Sequence, residues 1–96
     1  MNRLNLLTKL KQYKELNEKK YGILTMGVFG SFARDQASVS SDVDIVVETK
    51  TPDPFAIVHI KEDLEDELHM PIDIVRLRDQ MNSFLKDRIE KEAVYV

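Results

Sequence analysis

Apolar residues along this chain recur first at helical spacing and then in short dense runs. Between Leu4 and Lys20, Leu6, Leu10, Tyr13 and Leu16 repeat at three- and four-residue intervals among Lys and Glu, and Gly22 closes the segment. This pattern predicts an amphipathic helix. Ile23 to Phe29 is an apolar run of strand length that stops at Gly30, and Val43 to Val47 is a second, rich in β-branched residues. Ser31 to about Gln36 reads as a short helix and Ala37 to Ser41 as a polar connection. Thr51-Pro52-Asp53-Pro54 is a break followed by a helix start, with Asp53 as N-cap and Pro54 in the first turn. Phe55, Val58, Leu64 and Leu68 supply that helix's apolar stripe, and it ends before Pro71. Ile72 to Leu77 is a third strand. Asn82 or Ser83 then caps a last helix in which Phe84, Leu85, Ile89 and Ala93 face inward.

The predicted order is α-β-(short α)-β-α-β-α, an α+β (α/β two-layer) fold with a small mixed sheet and helices packed on one face. Gly30 and Asp42 are separated by only eleven residues, so the first two strands should pair antiparallel. A helix-containing crossover joins strands two and three, the connection parallel strands require. The starts of those two strands therefore lie at one end of the sheet.

Composition narrows the picture. The 96 residues suit one domain, with 43% hydrophobic and 32% charged residues. There is no cysteine, which excludes disulfides and thiolate metal sites and fits a reducing cytoplasm. No apolar run approaches the ~20 residues of a membrane span. A net charge of −3 and the lack of a Lys/Arg stripe argue against stand-alone nucleic-acid binding.

The strand pattern leaves one oddity, two aspartates at the head of the second strand. Side chains alternate along a strand, so Asp42 and Asp44 share a face while Val43, Ile45 and Val47 take the other. Asp73, flanked by Ile72 and Ile74, arrives at the same sheet end by topology. Clustered carboxylates repel one another unless a cation sits among them. Mg²⁺ suits a few hard oxygen ligands completed by water and phosphate, and two such ions ~3.5–4 Å apart clamp an in-line nucleotidyl transfer. The third acid lies where an attacking hydroxyl must lose its proton. Gly30-Ser31 supplies the other half. Glycine allows close backbone approach to a phosphate, a helix starting at Ser31 would aim N–H groups at it, and the Ser31 hydroxyl adds a donor. Arg34, one turn on, has the reach to contact a phosphate or to brace the acids. Singly, each of these has a plain structural explanation. Together they describe a site.

The segments G-S-F-A-R, S-D-V-D-I-V-V and P-I-D-I-V resemble the signature of the DNA polymerase beta-like nucleotidyltransferase superfamily: GS, a short spacer, [DE]-x-[DE] and a later acid. More narrowly, the whole chain, including the closing D-R-I-E-K-E-A-V-Y-V helix, is similar to the minimal nucleotidyltransferases of MntA type, antitoxins that accompany HEPN-domain toxins. That resemblance implies one minimal nucleotidyltransferase domain over residues 1–96, in which Gly30 and Ser31 hold ATP and Asp42, Asp44 and Asp73 bind Mg²⁺. It further implies AMP transfer to a tyrosine of a HEPN toxin with which the chain forms a hetero-oligomer. One departure stands out: the family's usual G-S-x-A-R-G has Asp35 in place of the last glycine. Aspartate tolerates positive φ better than most residues, so the change touches loop geometry and rate, not the identity of the site.

Two other readings stay open. One is an antitoxin that inhibits by binding alone. The other is transfer to a small-molecule hydroxyl, which would call for an acceptor-binding domain or a dimer-built pocket. His59 and His69 lack metal-pair spacing and read as helix-surface and helix-end residues. The acidic run Lys61 to Glu67 reads as a solvated face, with docking on a basic partner as the lesser alternative. Tyr13, Tyr21 and Tyr95 read as packing residues.

Overall fold

The computed structural model describes residues 2–36 and 42–96; the polar connection expected at 37–41 lies outside the described residues. The opening helix, α1 (Arg3–Tyr21), begins where the Asn2 side chain accepts the Asn5 N–H at 2.8 Å and ends at Gly22, whose φ of 65° turns the chain left-handed. The chain continues through β1 (Ile23–Phe29), β2 (Val43–Thr49), α2 (Pro54–Leu68), β3 (Ile72–Arg76), α3 (Ser83–Glu92) and β4 (Val94–Tyr95). The strands form one sheet of order β3-β2-β1-β4. As expected, β1 and β2 are antiparallel and β2 and β3 parallel. Two connections hold the parallel pair at its ends: the Val43 amide donates to the Pro71 carbonyl (3.0 Å) and the Leu77 amide to that of Val47 (2.7 Å).

Strand alternation gives each sheet face its own core. Met26, Val28, Val43, Ile45, Val47 and Ile72 pack with Leu6, Leu10 and Tyr13 of α1 and Ile60, Leu64 and Leu68 of α2. Phe29 and Val46 point the other way and meet Ile89 of α3. Two helices thus cover one face, and the third lies on part of the other. Tyr13 is tied across the layer by its hydroxyl, which donates to Asp63 at 2.7 Å. Burial and that neighbouring carboxylate push the phenol's pKa strongly upward. Asp63 also accepts from the Tyr21 hydroxyl at 3.3 Å, so one residue of the acidic run has a structural task.

Several expectations need correction. In α2 the buried row is Ala56, Ile60, Leu64 and Leu68, while Phe55 and Val58 face solvent. Four-residue steps define that row, and Val58 lies about 200° around the helix from Ala56. In α1, Leu16 is exposed, and in α3 so is Phe84. The short helix expected at 31–36 is a hydrogen-bonded turn. The last helix ends at Glu92 because Ala93 is extended (ψ 135°), and the chain returns as β4 alongside β1.

Candidate active site

The parallel register sets Asp44 directly beside Asp73, and the antiparallel register sets Asp44 beside Phe29. Phe29, Asp44 and Asp73 therefore form a row across three strands on the face that α3 partly covers. Asp42, exposed, precedes β2 by one residue on the same alternation. Topology thus delivers all three predicted acids to one sheet end. Among the described residues, however, no three acidic or histidine side chains stand close enough to share one ion as they are arranged. Their electrostatics still fit a cation. Burial first, then repulsion from Asp73 and Asp42, raises the Asp44 carboxyl above its ordinary range, while Arg88 and Arg34 pull it back. The donors are all hard oxygens, as Mg²⁺ prefers.

β1 ends at this row, and Gly30 follows with φ 75°. A Cβ built on Gly30 would collide with the Asp44 carboxylate. Only glycine lets the turn lie against the acid. The turn is closed by three backbone bonds: Arg34 N–H to Gly30 O (3.1 Å), Asp35 N–H to Phe32 O (3.2 Å) and Gln36 N–H to Ser31 O (2.8 Å). Phe32 and Ala33 plug its underside into the main core, leaving Ser31 half-buried and Arg34 exposed. Asp35 takes φ 57°, the left-handed conformation that the family's usual glycine adopts freely. Gly30, Ser31, Asp44 and Asp73 are therefore gathered around one sheet end, with Arg34 on the adjoining turn.

The strand-and-turn reading missed two residues of α3. Glu92 accepts the Gly30 N–H through Oε2 (3.2 Å) and the Arg34 Nη1–H through Oε1 (2.8 Å). Arg88 Nη2 lies 3.8 Å from Glu92 Oε2, and its guanidinium sits 5.8 Å from the centre of the Phe29 ring. The available signal was the i, i+4 Arg-Glu pair on the helix flank beside Ile89; its meaning depends on α3 lying over β1. His59 and His69 are outside the site. His59 stacks on Tyr21 with ring centres 6.5 Å apart, and His69 is the left-handed cap of α2.

A glycine-serine turn facing paired aspartates at the head of a mixed sheet defines a nucleotidyltransferase. Residues 9–96 match the family described as "Polymerase beta, Nucleotidyltransferase", and the chain belongs to it. Within that family it is of the minimal, MntA type. It is similar to the protein adenylyltransferase MntA of Thermococcus cleftensis, with 36% identity over 84 residues, covering 86% of this chain and 83% of the relative. A solved structure provisionally named a minimal nucleotidyltransferase superposes with a TM-score of 0.81 at 27% identity, over 98% of this chain and 95% of that one. A tri-AMPylated Shewanella oneidensis HEPN toxin in complex with MNT antitoxin matches with a TM-score of 0.59 at 23% identity, over 85% of this chain and 70% of that one. At that identity the last likeness speaks for the fold alone.

Proposed function

We propose that this chain is a Mg²⁺-dependent protein adenylyltransferase and antitoxin, which moves AMP from ATP to a tyrosine of a HEPN-domain toxin. The observation that carries this reading is the placement of the Gly30–Ser31 turn directly against Asp44 in the Asp44–Asp73 row. The turn binds the triphosphate through its backbone and the Ser31 hydroxyl, and Arg34 adds a charge-assisted contact. The acceptor phenol oxygen attacks the α-phosphorus, the bond to the β-phosphate oxygen breaks, and pyrophosphate leaves. Asp73, on the strand beyond Asp44, takes the phenolic proton. Asp42, Asp44 and Asp73 would hold Mg²⁺, which when bound offsets the charge of the triphosphate and of the acids.

The similarity to an MntA adenylyltransferase supports a protein acceptor and ATP as donor. The complex that shares this fold pairs an MNT antitoxin with an AMPylated HEPN toxin, and we carry that partner class over to this chain as part of the proposal. Asp35 does not stand in the way, since its backbone takes the left-handed conformation a glycine would use. The test is mass spectrometry of a candidate HEPN partner after incubation with the chain, Mg²⁺ and ATP. Added AMP mapped to tyrosine is the expected result. A tight complex that inhibits the toxin while its mass stays unchanged would instead assign inhibition by binding alone.

A further inference from the structure

We propose that Glu92 is a positioning residue for the triphosphate, a clamp that presets both the Gly30 turn and the Arg34 guanidinium. The inference rests on the nucleotidyltransferase reading above and extends the site from the strand ends to α3.

Glu92 meets the two groups that the phosphate turn most needs fixed. One carboxylate oxygen accepts the Gly30 amide at 3.2 Å, orienting the peptide plane from which the turn departs. The other accepts Arg34 Nη1–H at 2.8 Å. The clamp is itself anchored. One turn earlier in α3, Ile89 is buried against Phe29 and Val46; immediately after Glu92, β4 pairs with β1. Both supports lead to β1, the strand that ends at Gly30.

A carboxylate beside a triphosphate invites the opposite expectation, that it repels or competes with the ligand. Charge and donor number decide against that. Arg34 at 2.8 Å and Arg88 at 3.8 Å flank Glu92, so the trio carries a net positive charge. A guanidinium has five N–H donors. Among the described residues Arg34 commits one to Glu92 and its Nε–H to Gln36 (3.1 Å), leaving three for a phosphate. An exposed arginine otherwise loses considerable rotamer freedom when it binds, and a preset one loses less.

The experiment is a double-mutant cycle on Kd for Mg²⁺·ATP, measured by calorimetry on the whole chain, with melting temperatures recorded for every variant. Glu92→Ala should weaken binding about tenfold, the worth of one charge-assisted hydrogen bond. Glu92→Gln, which keeps an acceptor for Gly30 but loses the charge facing Arg34, should fall between. In an Arg34→Ala background, Glu92→Ala should cost clearly less than in wild type, because only its hold on the Gly30 amide is left to lose. Equal losses in both backgrounds would make Glu92 a merely structural residue and overturn the clamp, as would tighter binding in Glu92→Ala or Glu92→Gln. Wild-type protein that binds none of the four nucleoside triphosphates would sink the parent reading and the clamp with it. Wild-type binding matched by Glu92→Ala would sink the clamp alone.

Discussion

Asp44 is the residue on which the site's costs and uses meet. It lies beside Asp73, is crowded by Gly30 and feels Asp42, with Arg88 and Arg34 giving partial relief. Its carboxyl pKa is raised in the folded state, so the folded chain binds that proton more tightly than the unfolded chain does. The associated stability is fully present below the unfolded value of ~3.9 and is lost as pH rises through the folded value. In EDTA, Asp44→Asn should therefore melt higher than wild type at neutral pH, by an amount that solvent screening keeps small. The gain should shrink toward pH 4 as the wild-type acid becomes protonated. Thermal melts at the two pH values check this, and a gain equal at both would deny the electrostatic origin. The D-x-D spacing and the later acid were readable because alternation and crossover topology fix where such residues go. The Asp44–Gly30 contact was not, since it depends on a turn approaching a side chain through space.

At the scale of elements, α3 and β4 changed the picture most. A run such as Glu90-Lys91-Glu92-Ala93-Val94 continues a helical reading without a breaker, so the return to β1 left no local mark. What stops the helix is tertiary. Gly27 makes room for β4: a Cβ there would lie 2.7 Å from the Val94 carbonyl oxygen and 3.0 Å from Tyr95 Cδ1. Gly27→Val should push β4 off β1 and cost about 1–3 kcal/mol, the usual range for overpacking. Because Glu92 sits between α3 and β4, nucleotide binding should weaken in parallel. Denaturant unfolding checks the first effect and calorimetry the second. Loss of stability with unchanged binding would show that β4 does not help place Glu92. The exposed Phe55 and Phe84 were misplaced for a related reason: hydrophobicity marks a helix, but the row of four-residue steps facing the sheet decides which apolar residues are buried.

For the molecule as a whole, three strand ends, one turn and one helix flank make the site. The antiparallel pairing of β1 with β2, the parallel pairing of β2 with β3 and the delivery of Asp42, Asp44 and Asp73 to one sheet end were legible from length, periodicity and connection type; the place of β4 at the far edge was not. The second core under α3 was not, because Phe29 and Val46 lie within continuous apolar runs that do not reveal which face each residue serves. No described helix is long and apolar enough to cross a membrane. The central claim is that this compact arrangement transfers a nucleotide to a protein. Its most direct test mixes the chain with Mg²⁺, α-labelled ATP and a candidate HEPN partner, using Asp42→Ala/Asp44→Ala as control. Label on the partner only when the aspartates are intact is the predicted result. A stable complex that stays unlabelled with each of the four nucleoside triphosphates would contradict it.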